Sequence, residues 1–161
     1  MSRLEDFTFR FLTQQAVINR AAQMIAGIDG IIVELGLGKG RSFDHIRERL
    51  PQRDIYVFDR ELSCEPEFAP PSEFWVFGDI VETLPLFCQR YSGQAVFIHS
   101  DIGSRHRDDD IPLVQFVSDH LGGLLREGGI VASDRPMPGT GWADLPSLRE
   151  MEQFPYYMYR K

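Results

Sequence analysis

Residues 31–40 read Ile-Ile-Val-Glu-Leu-Gly-Leu-Gly-Lys-Gly, and this stretch constrains the fold more than any other part of the chain. An apolar run closes on Glu34, glycines fall at 36, 38 and 40, and an apolar-periodic segment follows from Phe43 to Leu50. The pattern predicts a strand, a tight turn and a helix start. At such a junction glycine lets the backbone take positive φ and approach a ligand closely, while the first N–H groups of the helix face polar or anionic atoms. The segment therefore predicts a nucleotide-type pocket.

The remainder alternates short apolar runs with helix-like segments, the signature of a parallel sheet covered on both faces. A helix is predicted over 4–26, with apolar positions at Phe7, Phe11, Val17, Ile18, Met24 and Ile25. Strands are predicted at 31–34, 55–59, 74–77, 95–98 and 130–132, with helices at 42–50, 83–90 and 111–125 between them. Residues 62–73, with Pro66, Pro70 and Pro71, read as loop. Trp142 to Gln153 predicts a short helix. Phe154 to Lys161 predicts an edge strand with Phe154, Tyr156 and Met158 on one face and Tyr157 and Tyr159 on the other. The expected fold is α/β, one doubly wound, mostly parallel sheet over 1–161: an N-terminal helix (1–28), a core (30–135) and a short C-terminal part (136–161). Ligands in such sheets bind off the carboxyl ends of the strands.

Spacing separates the pocket types. A GxxxxGK[ST] phosphate loop fails, because Lys39 is followed by Gly40 and Val33 stands where its first glycine belongs. A dinucleotide GxGxxG would need glycine at 41, which is Arg41, although an acid about 20 residues on suits it. Glu34-x-Gly36-x-Gly38-x-Gly40 instead resembles motif I of the class I S-adenosylmethionine (SAM) dependent methyltransferases. Asp59, 19 residues after Gly40, matches that family's ribose-binding acid. Asp79 in Phe-Gly-Asp-Ile matches the residue that takes the adenine amino group, and Leu124-Leu-Arg-Glu-Gly-Gly-Ile-Val131 looks like the segment before strand five. The resemblance implies a Rossmann-like fold, SAM as cofactor with S-adenosylhomocysteine as product, and a small-molecule acceptor at oxygen or nitrogen. It implies cofactor contacts from Glu34, Gly36, Leu37, Gly38, Gly40, Ser42, Asp59, Arg60, Gly78, Asp79, Ile80, Ser100 and Asp101. A SAM-binding module without catalysis and a nicotinamide-binding protein stand as alternatives.

Methyl transfer is an in-line displacement that needs positioning rather than a nucleophilic residue. Asp101, Asp134 and Arg135 are the expected catalytic groups. The two aspartates, ending neighbouring strands, look like the magnesium pair of the catechol and caffeoyl-CoA type O-methyltransferases, whose motif reads Asp-Asn where this chain has Asp134-Arg135. Arginine cannot ligate a metal, so no metal ligand is assigned; a divalent cation stays as the lesser alternative, and Arg135 is expected to hold an anionic acceptor instead. His99 and His106 are candidates for proton handling, His99 reading rather as a satisfied core residue and His45 as structural. Trp142 reads as packing. Ser104 to Asp110 reads as a solvated charge run, placed where a lid would also sit.

Bulk properties narrow the partners. The formal charge of −7 opposes nucleic acid, which needs a basic face, and no apolar run approaches a membrane span. Cys64 and Cys88, at no metal-ligand spacing, predict reduced thiols, and with no signal-peptide pattern at Met1 to Leu4 the expected location is the cytoplasm. The doubly apolar edge strand at 154–161 predicts a homo-oligomer, because such an edge wants covering.

Overall fold

The computed structural model describes residues 1–104 and 106–161; Arg105, within the 104–110 charge run, lies outside them. The chain runs α1 (Arg3–Met24), β1 (Ile31–Leu35), α2 (Arg41–Arg49), β2 (Ile55–Asp59), β3 (Trp75–Phe77), α3 (Ile80–Arg90), β4 (Ala95–Ser100), α4 (Ile111–Leu124), β5 (Leu125–Ser133), β6 (Ala143–Asp144) and β7 (Tyr157–Arg160). Seven strands form one sheet in the order β3-β2-β1-β4-β5-β7-β6. The first five pair in parallel, and β7 is antiparallel to both neighbours.

Alternation along the strands sends side chains to opposite faces and builds two apolar layers. Ile32, Val57, Phe97 and Ile130 pack with Val17, Ile18 and Ala21 of α1 and with Phe43 and Ile46 of α2. Val33, Phe58, Ile98 and Val131 pack with Leu84 and Phe87 of α3 and with Val117 and Leu121 of α4. Burying each large apolar side chain contributes about 1.5–3 kcal/mol, which makes the sheet a rigid frame for the loops at its carboxyl edge. Ser2 starts α1 through a capping box with Glu5, and Asp79 caps α3 by accepting from the Val81 N–H.

Three expectations at the end of the chain need correction. No helix forms over 142–153: Pro146 forces its predecessor out of helical geometry, and the segment makes the two residues of β6 and a single 3-10 turn at Arg149–Glu152. β5 begins at Leu125 rather than Ile130, directly after α4, with a register shift opposite Ala95 and Phe97 that takes up the paired glycines. β7 is not an edge, because β6 pairs along its outer side. Its faces divide as predicted, Tyr156 and Met158 into one layer and Tyr159 into the other, and both are covered within the chain. The premise for self-association at this strand is thereby removed. Among the described residues no helix is long and apolar enough to cross a membrane.

Candidate active site

The glycine turn between β1 and α2 forms the centre of the carboxyl edge. Gly36 has φ +90°, and an added Cβ would lie 2.8 Å from the Asp101 carbonyl oxygen, so only glycine lets β1 pass the loop after β4. Gly38 has φ +51°, and a Cβ there would meet no protein atom within 4 Å. It would project into open space, as expected of a turn that cradles a ligand. Asp59, ending β2, holds this turn: Oδ2 accepts from the Leu37 N–H at 2.9 Å and the Gly38 N–H at 3.1 Å, and Oδ1 accepts from the Glu61 N–H. A carboxylate offers about four acceptor positions, so capacity remains for a ligand hydroxyl.

Glu34 is fully buried beneath the turn. Its Oε1 accepts from the Ser42 hydroxyl and its Oε2 lies 2.8 Å from His99 Nδ1, while His99 Nε2 lies 2.6 Å from the Tyr156 hydroxyl. Burial pulls the His99 pKa down, but the charge and hydrogen bond of Glu34 outweigh it, and the net direction is upward. Burial, and next the charge of Asp101, push Tyr156 well above the usual phenol range. His99 therefore links β1, β4 and the start of β7 as a satisfied core residue.

At the next position along the edge, Asp101 accepts at both oxygens from Arg10 Nη2 at 2.7 Å and at Oδ2 from Gln14 Nε2 at 2.8 Å, so α1 is tied to β4. Asp134, after β5, is 3 % exposed. Its Oδ2 accepts from Arg135 Nη1 at 3.0 Å, and its buried Oδ1 has no partner among the described residues. Burial, and next the charge of Asp101, raise its pKa to about 6. Arg135 spends its donors inside the protein: Nε and Nη2 reach Asp110 at 2.9 and 2.7 Å, and Nη2 also donates to the Ser104 carbonyl. This corrects the expectation of a free fork for an anionic acceptor. A Cβ at Gly103 would clash with Asp134 Oδ2 and the Arg135 guanidinium, so a larger residue there would have to displace this pair.

Three cavities follow one another over this edge. The first, about 360 Å³, is lined by Gly36, Phe58, Asp59, Arg60, Gly78, Asp79, Ile80, Ile102 and others. The second, about 330 Å³, shares Gly36 and Asp59 with it and adds Leu37, Gly38, Ser42, Asp101 and the α1 residues Phe7, Arg10, Phe11 and Gln14. The third, about 610 Å³, shares Phe7 and Arg10 with the second and is lined by Gly103, Ser104, Asp134, Arg135 and Phe154. The predicted residues thus gather along one groove, with three departures. Glu34 turns down to Ser42 and His99, Gly40 packs on Phe68 and Cys64, and Ser100 is fully buried; none of the three lines the groove.

The sequence names no individual residue of α1 for the site, although the N-terminal helix is one of the segments expected to select the acceptor. Phe7 and Phe11, apolar positions of the predicted helix, are 41 % and 39 % exposed and line the groove. The spacing of Phe7, Arg10, Phe11 and Gln14 on one helical face was the available signal. His45 bonds Asn19 and Trp142 packs near Tyr159, both structural roles as read, while His106 is exposed outside the groove.

A family model described as S-adenosyl-L-methionine methyltransferase matches residues 1–161. The chain belongs to that family. The methyltransferase is also similar to the crystal structure of an S-adenosyl-L-methionine methyl transferase from Silicibacter pomeroyi, at 33% identity and TM-score 0.93 over 99% of this chain and 98% of that one. Two more distant structures share the fold. One is the Burkholderia thailandensis 1,6-didemethyltoxoflavin-N1-methyltransferase with bound 1,6-didemethyltoxoflavin and S-adenosylhomocysteine (14% identity, TM-score 0.58, 94% of this chain and 80% of that one). The other is an O-methyltransferase family protein from the same organism (12%, 0.56, 98% and 58%). A search of curated protein sequences gave no match. The cofactor of the methyltransferase is SAM, and the nicotinamide alternative falls away. The open cradle at Gly38 beside Asp59 suits that cofactor. A divalent cation does not suit the Asp101 and Asp134 pair, because a guanidinium already holds each carboxylate and the two acids serve separate ion pairs.

Proposed function

We propose that the protein transfers the methyl group of SAM to a nitrogen or oxygen of a small molecule held in the cavity beside Asp134. The observation that carries this reading is the row of three adjoining cavities from Asp79 to Asp134, which share lining residues and end at Asp134, whose buried Oδ1 has no partner among the described residues. Asp79, the Ile80 N–H and Phe58 suit the adenine, Asp59 the ribose, and Gly36, Gly38, Ser42 and Asp101 the methionine end. The bound cofactor supplies a sulfonium methyl group open to in-line displacement. Asp134 Oδ1 accepts the proton that the acceptor gives up, and Arg135, closed on Asp110 and Asp134, positions that carboxylate. A cavity of about 610 Å³ suits a small molecule, and the charge of −7 speaks against nucleic acid. The free thiols Cys64 and Cys88 suit a reducing compartment such as the cytoplasm.

Calorimetric titration with S-adenosylhomocysteine is expected to show one site, weakened in Asp59→Ala by at least about 1 kcal/mol, the scale of lost charge-assisted hydrogen bonds. Labelled SAM is expected to pass its methyl to an acceptor in a metabolite pool. Lack of binding would overturn the cofactor assignment, and binding without transfer to any acceptor would overturn the catalytic one.

A further inference from the structure

The wall that α1 adds to the groove is charged in a particular way. Arg10 bridges both oxygens of Asp101 through one nitrogen, Nη2, and its Nε is buried with no partner among the described residues. Arg41 lines the same cavity, with its guanidinium carbon 5.2 Å from the centre of the Phe11 ring. The guanidinium groups of Arg10 and Arg41, Lys39 and the carboxylates of Asp59 and Asp101 thus line one small space beside the glycine turn, and Asp59 is already engaged by the turn's N–H groups. An α-amino acid end carries the complementary charges, a carboxylate for the guanidinium side and an ammonium for Asp101.

We propose that Arg10 is a cofactor-positioning residue whose guanidinium binds the α-carboxylate of the cofactor's methionine end, with Asp101 taking the ammonium. This inference rests on the assignment of the groove to SAM. The Arg10–Asp101 pair is then the ligand-free arrangement, in which each charge satisfies the other until the zwitterion enters between them. Arg10 lies on α1 and Asp101 after β4, so the amino-acid end of the ligand joins the helix to the sheet edge.

The test compares S-adenosylhomocysteine with 5′-methylthioadenosine, which has the nucleoside and the sulfur but no amino-acid end, by calorimetry. Arg10→Gln is expected to weaken S-adenosylhomocysteine at least tenfold and to leave 5′-methylthioadenosine within twofold of wild type. Arg10→Lys, which keeps the charge but loses the planar fork, is expected to fall between. Wild type is expected to bind decarboxylated S-adenosylhomocysteine at least tenfold more weakly than the intact ligand, and Arg10→Gln to bind the two alike. Equal weakening of both nucleosides in the variant would mean that Arg10 only docks α1, and no weakening of either would mean that it does nothing for binding; each overturns the proposal. Wild type that bound neither nucleoside would overturn the groove assignment itself, a result distinct from the other two.

Discussion

Asp134→Asn is expected to lower the turnover number by roughly 10²–10⁴-fold while S-adenosylhomocysteine still binds, because the amide cannot take the acceptor's proton. The pH profile supplies a second readout. Asp134 holds its proton up to about pH 6, so kcat/KM for wild type should rise through that value and level off above it, and the asparagine variant should show no such limb. Stability runs in the opposite sense. The folded-state pKa lies above the ordinary value of 3.8, so the folded chain keeps this proton to higher pH than the unfolded one. That contribution is complete below 3.8 and is lost as pH climbs through about 6. The variant, which has no charge to bury, should therefore melt no lower than wild type at pH 8. A variant that retained most of its turnover, or a profile flat through pH 6, would remove Asp134 from the chemistry.

Glu34→Ala is expected to cost about 3–5 kcal/mol of folding stability, measured by chemical denaturation, because it deprives the fully buried His99 ring and the Ser42 hydroxyl of their shared carboxylate partner. Against the 5–15 kcal/mol typical of folded domains this is a large share. Glu34→Gln, which keeps a hydrogen bond to His99 and to Ser42, should cost less. The folded-state pKa of His99 lies above its ordinary 6.5, so its stabilisation is complete below 6.5 and fades as pH rises through the folded value. Both variants should lose that slope above pH 6.5. A loss under about 1 kcal/mol in the alanine variant would mean that His99 is neutral and the pair is not an ion pair.

The sheet was legible because its signals are local. The apolar run at 31–35 and the glycines at 36, 38 and 40 state a strand and a turn without reference to anything distant, and Asp59 and Asp79 mark the next two strand ends at family spacing. What escaped depends on contacts across the chain. Ser42 and His99 meet Glu34 from two different elements and Tyr156 backs His99 from behind, and no periodicity announces such a convergence. Arg135 was read as free because its partner Asp110 sits 25 residues earlier in a charge run that looked solvated. Phe7 and Phe11 give no sign of facing the groove, because an apolar helical face has the same spacing whether it covers a sheet or a ligand. The helix expected at 142–153 failed for a local reason that was visible, Pro146 in its middle.

The position of Tyr156 also bears on how the protein is made. It supports His99, and through it the acid beneath the glycine turn, yet β7 inserts between β5 and β6 only after every parallel strand has been synthesised. A nascent chain that has released β1 to β5 and Asp134 from the ribosome has the groove's acids but not the buttress under Glu34. The support under the cofactor pocket is thus completed only once Tyr156 has left the ribosome, and SAM reaching the nascent chain before then would find a turn not yet supported.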